Sequence, residues 1–435
     1  MTASELLWSF AALAPAWPAA AAIAIGALSL VQKKTRESQV VWVSQAALWV
    51  LCGSVLVGGG MWLSNGQKPM DLRVGDLYRS GDYSLTLRLY FDLTSVTVST
   101  MSALLMLATS RFAERYLHRE PGFLRFFALM QTFAAGVTLL VLGGSYDLLL
   151  AGWEIVGWTS VLLVGFFQHR AGPVSAALRV LVTYRLCDVG LLIGAVALHG
   201  WLHSTEYREV FPRVAAASGF GPFLLVGFGL LVAAMGKSAQ IPVGGWLPKA
   251  MEGPTASSAV FYGGLSVHMG VYLLIRSEPL LSQGPRGAIL LVGGTTAVMA
   301  AFSGQVCADA KTSLAYATIS QVGLMFVEVG FGLPRLALLH LLAHSVLRYY
   351  QFLRTPSALS DALARRNAGL VRARRLGQTE FPGWHRFLYR LAIERFAIES
   401  TLDRVIARPV LSLARWLGRI EDRVTVWLSG TRSMR

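Results

Sequence analysis

Apolar runs of about twenty residues recur along the chain, the helical length that matches a bilayer's hydrocarbon core. Hydropathy in windows of about nineteen residues predicts eleven spans, near 6–30, 41–63, 91–111, 124–143, 146–168, 174–200, 222–246, 255–276, 287–306, 311–331 and 335–353. The first, Leu6 to Leu30, is too long for a signal-peptide core and lacks a preceding basic region, so it reads as a retained span. Between the second and third, "MDLRVGDLYRSGDYSLTLRLYFD" alternates polar and apolar residues around Ser80-Gly81-Asp82, which predicts a short β-hairpin. Within the seventh, Pro242 and Gly244-Gly245 interrupt the run, so a discontinuous helix is expected near 237–246. After a polar linker of about 355–382, "WHRFLYRLAIERFAIESTLDRVIA" and, past Pro409, "LSLARWLGRIEDRVTVWLSG" read as amphipathic helices. In the latter Leu413, Trp416, Leu417, Ile420, Val424 and Trp427 line one face, away from Arg415, Arg419, Asp422 and Arg423. The pattern is that of an all-α polytopic membrane protein in three parts: 1–84 with the hairpin, a core over 85–355, and a tail over 356–435.

Composition agrees: 54% of the 435 residues are hydrophobic and 14% charged, with a mean hydropathy of +0.52. Cys52, Cys187 and Cys307 are scattered, so neither a disulfide framework nor an iron–sulfur site is indicated. With no Gly-rich phosphate loop or dinucleotide fingerprint, no cofactor is expected in this chain, and nucleic acid is not an expected partner. Orientation follows from basic loops: "QKKTRES", "RFAERYLHREPGFLR" and "QHRAG" fall on one side, which the positive-inside rule makes cytoplasmic. The N-terminus and the hairpin then face the periplasm and the tail the cytoplasm. From residue 354 onward the chain holds sixteen Arg, no Lys and seven acids, more than half of its net charge of +15. Such a tail suits either a docking platform for a cytosolic partner or a basic surface on anionic membrane lipid.

A charge at the bilayer centre costs roughly 2.5–3.5 kcal/mol on insertion scales, so each one needs an explanation. Glu154 lies well inside the fifth span. In the sixth, Arg185 and Asp188 are three residues apart and can neutralise one another on one helix face. Lys237 sits just before the expected helix break, in "LLVAAMGKSAQIPVGGWLPKAMEGPT". Asp309 and Lys311 fall near the cytoplasmic ends of spans nine and ten. His340, His344 and Arg348 form a stripe along one helix at i, i+4 and i+8. Two histidines so spaced can hold zinc, but no third ligand follows in the usual pattern, which leaves a structural polar stripe and a proton relay as the other readings. For Glu154 and Lys237 the choice is between a pair that fixes packing and a relay. Two unit charges ~6 Å apart interact by ~3 kcal/mol at an effective dielectric of ~20, enough to decide whether a buried lysine keeps its proton. Histidine, with an unperturbed pKa near ~6.5, can pass such a proton on.

"GWEIVGWTSVLLVGFF", "MGKSAQIPVGGWLPKAMEGPTASSA", "GVYLLIR", "KTSLAYATISQVGLMF" and "LLHLLAHSVLRYYQFL" resemble, in order and spacing, the antiporter-like subunits typified by NuoL of respiratory complex I and MrpA of sodium/proton antiporters. The resemblance covers about residues 85–355. It implies a Glu154–Lys237 pair and a central chain through His340 and His344 that carry protons. Tyr262 stands where the family generally has a histidine, with His268 nearly two turns later, and Arg348 replaces the family's central lysine. Arginine is effectively never deprotonated, so Arg348 can tune its neighbours but carries protons poorly. The later spans of the NuoL type have no counterpart after Leu353, so a pathway ending as in complex I is not expected.

A short antiporter-like core with an Arg-rich tail most resembles the DabB-type membrane subunit of inorganic-carbon accumulation complexes. That resemblance implies a bacterial inner-membrane subunit whose proton or sodium flow drives CO2 hydration by a cytosolic, zinc-binding, carbonic-anhydrase-like partner of the DabA type, the zinc and the catalysis belonging to the partner. The alternatives are a proton-pumping subunit of complex I, a hydrogenase or an Mrp-type antiporter, and a non-conducting membrane anchor for a soluble enzyme.

Overall fold

The computed structural model describes residues 3–31, 36–80, 83–216, 221–355, 367, 383–402, 404–405 and 408–429. The chain forms two compact units, Met1–Arg372 and Ala373–Arg435.

In the first unit α1 (Ala3–Ala12) and α2 (Ala16–Val31) meet at a 54° bend beside Pro15, whose ring removes a backbone donor. Then come α3 (Glu37–Ser64), β1 (Met70–Ser80), β2 (Tyr83–Phe91), α4 (Leu93–Tyr116), α5 (Phe123–Leu142), α6 (Tyr146–Val164), α7 (Ala171–Leu202), α8 (Tyr207–Ala216) and α9 (Gly221–Lys237). After α10 (Trp246–Lys249), a composite segment runs through α11 (Thr255–Ser258), a π-helical stretch Ala259–Gly264, a 3-10 turn Ser266–His268 and α12 (Met269–Arg276). It is followed by α13 (Gln283–Gln305), α14 (Ala310–Gly330) and α15 (Pro334–Arg354).

Among the described residues eight helical segments are long and apolar enough to cross a membrane, or nine if the bent α1–α2 pair is one span. The expected count of eleven is not reached for two physical reasons. The seventh segment, α9, stops at Lys237 after 17 residues, and the eleventh, α15, carries His340, His344 and Arg348 along a helix that would otherwise qualify.

The expected hairpin is an antiparallel pair running from Met70↔Phe91 to Ser80↔Tyr83, with register shifts near Gly75. Gly81 and Asp82 of its turn lie outside the described residues. The Arg73 guanidinium, 2.8 Å from Asp76, holds that exposed carboxyl below the usual carboxylate range.

Two features hold the membrane part together where the site lies. First, α7 and α9 approach at Gly190 and Gly229, where a Cβ on either residue would strike the other's carbonyl. Small residues permit such close backbone contact, and dispersion across it is what drives helices together in lipid. Second, the composite segment Thr255–Arg276 is buried along its whole apolar window. Its irregular backbone is tolerated at membrane depth because protein surrounds it.

That segment is latched at its end: Arg276 bonds both oxygens of Asp92 at 2.6 and 3.0 Å. Asp92 also caps α4 by accepting from the Ser95 amide. The rings of Tyr90, Tyr207 and Tyr272 stand 5.4–5.5 Å from the guanidinium carbon.

In the second unit the described helices are Gly383–Ile393, Ile398–Leu402 and Arg408–Ser429. Leu413, Trp416, Leu417 and Ile420 of the last are exposed. The side chains of Asp422, Arg423, Val424 and Trp427, and nearly all of the expected linker, lie outside the described residues.

Asp92→Asn leaves a buried guanidinium without its carboxylate and is expected to cost about 3–5 kcal/mol, read as an earlier unfolding midpoint in detergent. Gly190→Val, which forces α7 from α9, should be destabilising by about 1–3 kcal/mol, with Gly190→Ala intermediate in the same thermal melts.

Candidate functional site

The last residue of α9 is Lys237, fully buried, and beyond it the chain leaves the helix through Ala239, whose φ of 52° lies in the left-handed region. The freed groups find partners. Gln240 N donates to the Met235 carbonyl, Ile241 N to Thr296 Oγ1 at 3.1 Å, Ser238 Oγ to the Val267 carbonyl and Trp246 Nε1 to the Gly236 carbonyl. This opened turn is the discontinuity expected from Pro242 and the glycine pair, and it aims the lysine toward α6 and α7.

The Lys237 ammonium makes no ion pair among the described residues. Nζ donates to the Trp153 carbonyl at 3.2 Å and lies 4.2 Å and 4.6 Å from the ring centres of Tyr184 and Trp153. Glu154, on α6, is paired not with Lys237 but with Arg185 of α7. The same guanidinium bonds Asp188 at 2.8 Å, and the other Asp188 oxygen accepts from Trp153 Nε1 at 2.5 Å. Arg185 therefore does more than neutralise its near neighbour in sequence; it bridges two carboxylates on two helices. A Cβ at Gly157 would lie 3.0 Å from Lys237 Nζ and 3.4 Å from Arg185 Nη2, so both cations approach α6 over this one bare position.

The second cluster is built on α15 and the composite segment. His344 Nδ1 and His268 Nε2 are 2.9 Å apart, and Arg348 Nε donates to His344 Nε2 at 3.0 Å. A guanidinium only donates, so His344 Nε2 must accept; its proton sits on Nδ1 and points to His268 Nε2, leaving the His268 proton on Nδ1. That Nδ1 faces the Gly264 backbone but completes no hydrogen bond in full geometry among the described residues. His340, one turn before His344, faces elsewhere. Its Nδ1 is 2.8 Å from Glu328 Oε1 and its Nε2 3.2 Å from Gln321 Oε1, both on α14. The two α15 histidines thus do not converge on a shared point, as a zinc pair would.

Between the clusters lie Tyr184 and Tyr262, both packed on Trp246. Among the described residues the buried hydroxyls of Tyr262 and Ser258 complete no hydrogen bond, and that of Tyr184 meets Ser266 outside full hydrogen-bond geometry. Tyr262 is placed among these groups rather than on the histidine stripe. Two expected site residues fall outside both clusters. Asp309 caps α14, accepting from the amide and hydroxyl of Thr312 at 2.8 and 2.9 Å, and Lys311 donates to Thr255 Oγ1 at 3.0 Å. Glu328 escaped the sequence reading because it sits two residues from the end of α14, where an acid resembles a helix-end charge. Gln321, seven residues earlier on the same helix, was the available signal.

The NADH:quinone oxidoreductase/Mrp antiporter transmembrane family matches residues 145–377, just over half of the chain. The chain is 38% identical over 242 residues to NADH-quinone oxidoreductase subunit L of Mycobacterium tuberculosis, covering 55% of this chain and 38% of that one. It is 37% identical over 279 residues to NADH-ubiquinone oxidoreductase chain 5 of Rhizopus stolonifer, covering 62% and 42%. The chain thus spans less than half the length of these relatives. In the Mrp complex from Dietzia sp., a chain 26% identical superposes with a TM-score of 0.67 over 81% of this chain and 37% of that one.

The direction of the hydrogen bonds from Arg348 can be read spectroscopically. Nitrogen-15 spectra of histidine-labelled protein are expected to place both His344 and His268 in the Nδ1–H tautomer; an Nε2–H signal from His344 would contradict the geometry.

Proposed function

Because the chain belongs to the NADH:quinone oxidoreductase/Mrp antiporter transmembrane family, we propose that it is the ion-translocating subunit of a membrane complex and that Glu154, Arg185, Asp188 and Lys237 are where the ion, a proton, is loaded. The observation that carries this reading is the state of Lys237: a fully buried ammonium held by one carbonyl and two ring faces, while Arg185 occupies both neighbouring carboxylates. Movement of Arg185 off Glu154 frees a carboxylate for Lys237, and its return withdraws that partner. At an effective dielectric of ~20, changing the separation of such charges by a few ångströms is worth ~1–3 kcal/mol, so the position of Arg185 controls how firmly Lys237 holds its proton. From there the route continues through the buried hydroxyls of Tyr262 and of Tyr184, which meets Ser266 two residues before His268. Buried polar groups without protein partners are costly, and water bridging them would supply the missing hydrogen bonds. Arg348 holds His344 in place and takes no proton itself, while Asp309 and Lys311 stand aside from the path.

The finer form of the proposal is a bacterial inner-membrane subunit, with its tail in the cytoplasm, that couples this flow to inorganic-carbon accumulation by a zinc-binding, carbonic-anhydrase-like partner. Its support is the tail: sixteen Arg without a Lys, and a helix whose Leu413, Trp416, Leu417 and Ile420 are exposed. A complex I or Mrp-type pumping subunit is the rival, favoured by the names of the relatives.

Lys237→Ala and Glu154→Gln should each abolish carbon-dependent growth and proton flux in proteoliposomes while the complex still assembles; normal flux in both variants rules the relay out. Co-purification separates the finer readings. A single zinc protein supports carbon accumulation, and flavin with iron–sulfur proteins supports the respiratory alternative.

A further inference from the structure

We propose that Glu328 is a proton-exchanging carboxylate, the group through which His340 loads or unloads protons at the hairpin-side end of α14 and α15; this rests on the translocation reading given above. The placement follows from connectivity. The hairpin joins the end of α3 to the start of α4, Arg276 ties the end of α12 to Asp92 beside that hairpin, and α14 ends and α15 begins on the same side, where Gly332 meets Arg286 near the start of α13. Glu328 lies two residues before the end of α14, and His340 is six residues into α15, about 9 Å deep by helical rise.

Three details distinguish this pair from a packing contact. Glu328 Oε1 is 2.8 Å from His340 Nδ1, but Glu328 Oε2 is buried with no partner among the described residues, so one lone-pair-bearing oxygen is left open to receive a proton or a bridging water. Gln321 faces the other ring nitrogen at 3.2 Å. With its oxygen toward the ring, both nitrogens meet acceptors, which suits an imidazolium; with the amide turned over, its NH2 donates to a neutral ring. The same two side chains therefore satisfy His340 in either charge state. His344 has no such freedom, because Arg348 Nε fixes Nε2 as an acceptor. The rings of His340 and His344 lie 6.0 Å apart, close enough for transfer through one water. The step itself is a bare proton transfer: N–H of the imidazolium breaks, O–H of the carboxyl forms, and the pair passes from ion pair to neutral without change in net charge.

The discriminating variant is Glu328→Gln. Its amide oxygen still accepts from His340 Nδ1, so a merely structural Glu328 would tolerate it, but it cannot take a proton. In proteoliposomes of the full chain with whatever partner it retains, Glu328→Gln is expected to lower proton flux by about 100-fold, the scale of a lost positioned proton-transfer group, and Glu328→Asp to keep part of it. Infrared difference spectra recorded as a proton gradient is imposed and collapsed should contain a protonated-carboxyl band that Glu328→Gln removes and Glu328→Asp shifts. Wild-type flux in folded Glu328→Gln overturns the proposal, as does a spectrum without that band. Should the wild-type protein itself conduct nothing, the translocation reading fails and the infrared band alone judges Glu328. If Glu328→Gln does not fold, Glu328→Asp carries the same test through its reduced flux and shifted band.

Discussion

A cation sealed among apolar helices has to be balanced, and the arrangement of α6, α7 and α9 is organised around doing so for Lys237. Its nearest bonded partners are weak: a carbonyl and two aromatic faces. What compensates it is the surplus of the neighbouring set, since Glu154 and Asp188 share one arginine. Formally the four groups sum to zero, so the ammonium completes a neutral cluster without touching either acid. Coulomb attraction in a low-dielectric setting reaches over several ångströms, so both acids act on the ammonium without contact. It also means that Arg185 cannot be shifted without redistributing charge among all four.

Other structural choices follow from this one. α9 stops at Lys237, so the lysine emerges from a helix terminus and can lean across to α6; the bare surface at Gly157 admits it. The close seam of Gly190 and Gly229 draws α7, which carries Arg185 and Asp188, against α9, which carries Lys237. The distorted stretch from Ala259 to His268 then brings His268 onto His344 of α15. A π-helical turn rotates the side chains beyond it relative to a regular helix, and such turns recur at functional positions.

Much of this was legible in the chain itself. Hydropathy located the helices, and Pro242 with Gly244-Gly245 announced the opened turn after Lys237, because each acts locally on the backbone. The charged residues Glu154, Arg185, Asp188 and Lys237 stood out by their cost in lipid. Their pairing did not. Spacing along one helix joins Arg185 to Asp188, but the bond from Arg185 to Glu154 crosses between helices, and no local periodicity encodes it. For the same reason His268 and His344 could be named separately but not joined, and the cap that Asp309 forms on α14 was not foreseen. Length and composition alone do not reach the expected count of spans, because hydropathy windows accept a helix such as α15 whose apolar stretches surround a polar stripe.

The bond from Arg348 to His344 has one more consequence. A guanidinium at one end of a hydrogen-bonded row orders every dipole after it in the same sense, from Arg348 through His344 to His268. Such a row is polar like a magnet with a fixed north. Reversing that sense requires the arginine to withdraw, because only then could His344 Nε2 carry the proton.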